Sequence, residues 1–151
     1  MRIERVYTRR VLATTRSASV TEAAAAMRKF GVGALLVMED TARSEKPIGF
    51  VTDRDLALNS LVPGSDTVGS VMTPIVATIH HDADSHEALE MMRAHGVRRL
   101  IVTTDEGAVC GILSIDDLVD GLSVDLAAAA AVLKGEIRHD SAGLGDVKIG
   151  G

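Results

Sequence analysis

The chain has 151 residues, 46% of them hydrophobic, and a formal net charge of −5. That length suits one ordinary domain or two small halves sharing a core. The acidic balance, with Tyr7, Phe30 and Phe50 as the only rings available to stack on bases, argues against a nucleic-acid partner and leaves a core of Val, Leu, Ile, Ala and Met.

Met1-Arg2-Ile3-Glu4-Arg5 is not followed by the apolar stretch of a signal peptide, and no apolar run reaches membrane-spanning length. The simplest expectation is a cytoplasmic protein with no membrane partner. The single cysteine, Cys110, has no internal disulfide partner and reads as a small core residue.

Val6-Tyr7-Thr8 opens a first unit, and Val11-Leu12-Ala13-Thr14 follows as a short extended piece. Ser19-Val20-Thr21-Glu22 has the spacing of a capping box, and Glu22 to Phe30 places Ala23, Ala26, Met27 and Phe30 on one helical face. Gly31 ends that helix. Ala34–Met38 reads as a buried strand, 39–46 as a polar loop, Ile48–Thr52 as a strand and Asp53–Leu61 as a helix, with Pro63-Gly64-Ser65 as a turn.

The same order then repeats. Val71-Met72-Thr73-Pro74 matches the opening, Val76-Ala77-Thr78 the extended piece and Asp84-Ser85-His86-Glu87 the helix cap. A helix from Glu87 to His95 ends at Gly96. The strands Leu100–Thr103 and Val109–Leu113 and a helix Asp116–Leu122 close the unit. Aligning 22–37 with 87–102 gives eight identities in sixteen positions, which marks an internal repeat. Each unit is too small to fold comfortably alone. The two are therefore expected to pack through their sheets as a pseudo-twofold pair, with boundaries at 1–65 and 66–124. Residues 125–151 follow as an Ala-rich helix, Leu126–Leu133 capped by Gly135, and a polar, Gly-rich tail from Glu136, read as mobile or partner-dependent.

The most informative stretch in each unit is where the last strand meets its helix. Gly49-Phe50-Val51-Thr52-Asp53-Arg54-Asp55-Leu56 sets a hydroxyl, Thr52, and a carboxylate, Asp55, at a strand-to-helix corner. Backbone N–H groups and the positive end of a helix dipole can meet an anion at such a corner. A carboxylate there can accept from both hydroxyls of a ribose diol. Gly111-Ile112-Leu113-Ser114-Ile115-Asp116-Asp117-Leu118 repeats the layout with Ser114 and Asp117.

The paired Val-Met-Thr-Pro openings, the helix ends at Gly-Val and the Gly-x-Val-Thr-Asp-Arg-Asp-Leu closings resemble a tandem pair of cystathionine-β-synthase (CBS) domains, a Bateman module, over residues 6 to about 122. The resemblance implies an α/β (α+β) fold of two pseudo-symmetric repeats, each a small sheet with helices. It leaves no length for a catalytic domain, so a stand-alone regulatory module is expected. It further implies two related sites in the cleft between the repeats for adenosyl ligands: AMP, ADP, ATP or S-adenosylmethionine. By position, Thr52 and Asp55 would hold phosphate and ribose in one site, and Ser114 and Asp117 in the other. Thr14 and Thr78 would line the base pockets, as would the corners Val32-Gly33-Ala34 and Val97-Arg98-Arg99. Arg54, Arg98 and Arg99 would meet phosphate, because guanidinium forks suit phosphate oxygens. Gly33-Ala34 stands where the second repeat has Arg98-Arg99, and Asp53-Arg54 where it has Ile115-Asp116, so the two sites are expected to differ.

No other cluster displaces that reading. His80-His81-Asp82-Ala83-Asp84-Ser85-His86 has metal-ligating residue types, but adjacent residues of an extended loop point apart. It is expected to be a solvated lead into a helix cap, with no metal site. His95 suits a helix C-terminus, and Asp53 and Asp116 read as helix-start acids. Three functions stay in view: a sensor of adenine nucleotides with no required cofactor, a scaffold docking on an unidentified protein regardless of ligand and homodimeric through exposed helical faces that include Leu56, Met92 and Leu118, and a small enzyme. The last lacks an acid–base constellation.

Overall fold

The computed structural model describes residues 1–41, 46–59, 61–74 and 77–143, with side chains to residue 135. The fold is α+β, two small sheets flanked by helices. The first half runs β1 (Ala13–Thr15), α1 (Val20–Phe30), β2 (Ala34–Met38), β3 (Pro47–Thr52) and α2 (Asp53–Asn59). After α3 (Val68–Val71) and β4 (Thr73–Pro74), the second half runs β5 (Thr78–His80), α4 (Ser85–His95), β6 (Arg99–Thr103), β7 (Val109–Ser114) and α5 (Ile115–Gly143).

The sheets have strand orders β1-β2-β3-β4 and β5-β6-β7. In each, the first strand is parallel to the second and the second antiparallel to the third. The cap expected at Ser19 forms, with its hydroxyl accepting from Glu22 N–H and the Glu22 carboxylate accepting from Ser19 N–H. Asp84 caps α4 by accepting from both His86 and Glu87 N–H. Gly31 (φ 64°) and Gly96 (φ 62°) end α1 and α4 in the left-handed region.

Strand alternation splits the core into layers. Leu35, Val37 and Val51 pack against Ala23 and Met27 of α1. Leu100, Val102 and Leu113 pack against Ala88 and Met92 of α4 and Leu118 of α5. The intervening residues Leu36, Phe50 and Ile101 meet each other, with Val11, Val109 and Ile112 against them. The sheets therefore pack face to face, as the repeat implied.

The openings of the repeats are exchanged. Ile3 and Tyr7 belong to the core of the second repeat, and Val68 and Val71 to that of the first. Ile3 N–H donates to Ala83 O (3.0 Å) and Val68 N–H to Ala18 O (2.8 Å), the same contact made in both directions. Glycine makes the exchange possible. A Cβ on Gly49 would lie 2.3 Å from Thr73 O, and one on Gly111 2.3 Å from the Tyr7 ring and 2.8 Å from Thr8 O.

Two helical expectations are corrected. α5 is one helix of 29 residues, running through Ser123 and Gly135 without the expected break and cap. The expected mobile tail begins inside this helix, and residues 144–151 lie outside the described residues. Leu118 and Met92, which an exposed dimer face would require, are buried at 0% and 5% exposure, and Leu56 packs against the first core.

Candidate functional site

Thr52 ends β3, and its hydroxyl accepts from Asp55 N–H (3.1 Å) while the Asp55 carboxylate accepts from Thr52 N–H (2.9 Å). Ser114 and Asp117 form the same reciprocal pair at 3.1 and 2.8 Å, and the Ser114 hydroxyl also donates to Asp117 Oδ2 (2.7 Å). Both corners are thus capping boxes in which one carboxylate oxygen is committed. The corner N–H groups are committed as well. Asp53 N–H donates to Gly33 O (3.0 Å), Ile115 N–H to Arg98 O (2.9 Å) and Arg54 N–H to the Asp53 carboxylate (2.8 Å). The expectation that an anion meets free backbone N–H groups at the first corner does not hold. A phosphate there is left to side-chain donors, the Thr52 hydroxyl and guanidinium groups.

Two clefts lie between the repeats at the strand-to-helix corners, and each is assembled from both. The first, about 240 Å³, joins Phe50 and Thr52 of β3 to the second repeat's corner, Gly96-Val97-Arg98-Arg99, beneath Thr73 and Pro74. The second, about 330 Å³, joins Ile112, Ser114 and Asp117 to the first repeat's corner, Gly31-Val32-Gly33-Ala34, with Thr8, Arg10 and Arg99. Arg99 lines both.

The structure brings together Thr52, Val97, Arg98 and Arg99 in one cleft, and Gly33, Ala34, Arg99, Ser114 and Asp117 in the other. It does not bring Thr14, Arg54 or Asp55 into either lining. Thr78 lines a separate opening of about 810 Å³ with Ala13, Leu36, Lys46 and Ile101. Of the extended piece Val76-Ala77-Thr78, Val76 lies outside the described residues. The residue missed from the sequence is Arg10. It follows the opening segment that crosses to the second repeat, and its guanidinium lies over the Phe30 ring at 5.4 Å. Among the described residues, neither Arg10 nor Arg99 has an ion-pair partner, whereas Arg98 reaches Asp116 at 3.9 Å.

At the far end of β5 the geometric ground for discounting His80 and His81 fails. Their ring centroids lie 4.5 Å apart, and both rings reach Asp105 in the turn between β6 and β7. The hydrogen bond that His80 Nδ1 donates to the Asp82 carboxylate is the chief cause holding the His80 pKa above its ordinary value.

The CBS domain family matches residues 3–61 and 68–124, and the chain belongs to that family, carrying two repeats of it. It is 28% identical over 118 residues to an uncharacterized protein of Methanopyrus kandleri, covering 76% of this chain and 59% of that one. It is 32% identical over 104 residues to hypoxic response protein 1 of Mycobacterium tuberculosis, covering 66% of this chain and 70% of that one. A crystal structure of hypoxic response protein I with two coordinated zinc ions superposes with a TM-score of 0.58 at 27% identity, over 80% of this chain and 98% of that one. The CBS domain pair of protein MJ0100, solved with 5′-methylthioadenosine and S-adenosyl-L-methionine, superposes with a TM-score of 0.68 at 21% identity, over 83% of this chain and 98% of that one. The last likeness is one of fold.

Proposed function

We propose that this CBS pair is a non-enzymatic regulatory module that binds an adenosyl ligand, AMP, ADP, ATP or S-adenosylmethionine, between its repeats. One observation carries the reading: Ser114, Asp117, Arg10 and Arg99 converge on a cleft whose opposite wall is Gly33-Ala34. Asp117 Oδ2 is committed to the cap, which leaves Oδ1 for a ribose hydroxyl. The two arginines suit phosphate or a carboxylate. The 330 Å³ cleft holds a carboxylate together with two arginines, and the 240 Å³ cleft has no carboxylate in its lining. Asp117 and Ser114 therefore take the leading role, and Thr52 with Arg98 a lesser one. The adenosyl ligands of MJ0100 support the ligand class. Among the described residues no helix is long and apolar enough to cross a membrane.

Calorimetric titration with AMP, ATP and S-adenosylmethionine tests this. Asp117→Asn keeps an oxygen for the cap and removes the charge that strengthens a ribose hydrogen bond, so the affinity of the bound ligand falls by about tenfold or more. Asp55→Asn changes it little. Equal loss in both variants, or loss in neither, refutes the assignment.

A second reading, the ligand-independent scaffold, is favoured by α5. Val119, Leu122, Leu126 and Leu133 are exposed at 57%, 37%, 72% and 61% and recur at heptad spacing with Ala129. This stripe, rather than Leu56, Met92 and Leu118, is where a second copy or another protein would dock. Sedimentation in the absence of nucleotide is expected to show a dimer that Leu126→Lys dissociates. A wild-type monomer at tens of micromolar removes the homodimer.

A further inference from the structure

His80 and His81 belong to one strand end and Asp105 to the turn beside it, yet their ligating atoms lie within 4.8 Å of one another. His80 Nε2 is 2.6 Å and His81 Nε2 3.5 Å from the same oxygen, Asp105 Oδ1. We propose that these three residues form a binding site for a divalent transition-metal ion of the zinc type, separate from the adenosyl clefts.

The donor set is two imidazole nitrogens and one carboxylate oxygen, which zinc accepts at about 2.0–2.2 Å. Ligands at that distance around a tetrahedral ion sit roughly 3.4 Å from each other. The His81–Asp105 separation already matches. The His80–Asp105 pair must open by under an ångström, and Asp105, 76% exposed beside the turn glycine Gly107, is free to give it. A water completes the four positions. The remaining nitrogen of His80, Nδ1, is hydrogen-bonded to the Asp82 carboxylate. With a metal bound, that bond would keep the proton on Nδ1 and free Nε2 for the ion, the carboxylate–histidine–metal arrangement that orients metal ligands. Two carboxylates and two neutral imidazoles also balance the charge of a divalent cation.

The first repeat supplies an internal comparison. Counting along the paired strands, Arg16 stands where the second repeat has His81, and Asp40 where it has Asp105. Arg16 pairs with Glu39 at 3.0 Å, and Asp40 accepts from Ser17 N–H (3.1 Å). A side-chain cation therefore already serves the acids there. In the second repeat that cation is absent and imidazoles take its place.

The test is zinc titration by calorimetry on the full chain, without a polyhistidine tag and stripped with chelator. One ion per chain is expected, with a dissociation constant of about 10 μM or tighter and a rise in Tm. His81→Arg, which installs the first repeat's residue, and Asp105→Asn, in an exposed turn, should each weaken binding at least tenfold. Asp82→Asn should weaken it by about 10- to 100-fold through His80. His95→Gln, remote in sequence, should bind as wild type. The proposal fails if the wild-type chain takes up no stoichiometric zinc, or if His81→Arg and Asp105→Asn bind it as tightly as wild type.

Discussion

The two repeats share a backbone to the level of single hydrogen bonds and differ in many of the charged side chains around their clefts and strand ends. Asp53 N–H to Gly33 O and Ile115 N–H to Arg98 O are the same bond, yet the acceptor residue has no side chain in one repeat and a guanidinium in the other. The Thr52–Asp55 and Ser114–Asp117 capping boxes match, yet only Asp117 faces a cleft. Arg16 with Glu39 and Asp40 occupies the strand end where the other repeat gathers His80, His81 and Asp105. What the repeats hold in common is what folding needs: caps, alternating strands and glycines at the crossing points. What they do not share is what could bind ligands. Because each cleft takes one wall from each repeat, the difference is not between two self-contained halves. The second repeat's arginines serve the first repeat's corner, and the first repeat's small residues make room for the second's carboxylate.

The largest effect should come from breaking the shared crossing. Alanine at Gly49 forces a methyl onto the backbone of Thr73 and Pro74, where all three near atoms are main chain. Overpacking of this kind costs about 1–3 kcal/mol, read as a drop in the denaturation midpoint. Gly111→Ala presses chiefly on the Tyr7 ring, a side chain that can be exchanged. Adding Tyr7→Leu should restore part of the lost stability at Gly111 and none at Gly49. Equal behaviour of the two double variants would mean that the exchanged openings do not approach through these glycines.

Sequence periodicity carried most of the fold and a smaller share of the site. Ser19, Gly31 and Gly96 announce helix ends by local chemistry, and Leu35, Leu36 and Val37 sort into opposite faces by strand geometry alone. The exchange of openings was not legible, because Ile3 and Val68 look the same whichever core they enter. The length of α5 was missed for a countable reason. Glycine in a helix costs about 1 kcal/mol relative to alanine, but Gly135 follows an unbroken alanine run, 127–131, that favours the helix. The pairing of Asp117 with Gly33, the arrival of Arg10 and the convergence of His80 with Asp105 all depend on contacts between distant segments. No spacing rule within either repeat encodes them.

The smallest expected effect compares the two helix caps, and it is one of pH. Hydrogen bonds from Glu87 N–H, the larger cause, and His86 N–H hold the Asp84 carboxyl below the ordinary carboxylate pKa. The folded chain then binds this proton less readily than the unfolded one. The cap's contribution is fully present above the unfolded value, about 3.9, and is lost as pH falls through the lower folded value. The Ser19 hydroxyl makes the corresponding bond to Glu22 N–H without titrating. Ser19→Ala should cost about 0.5–2 kcal/mol, with no step of its own in that window. Thermal melts from about pH 7 down to about pH 3 separate the two. The Tm gap between wild type and Asp84→Ala should hold steady to about pH 5 and narrow below pH 4. A gap that stays constant to the lowest pH would show that Asp84 acts through its shape and not its charge, leaving the two caps alike in kind.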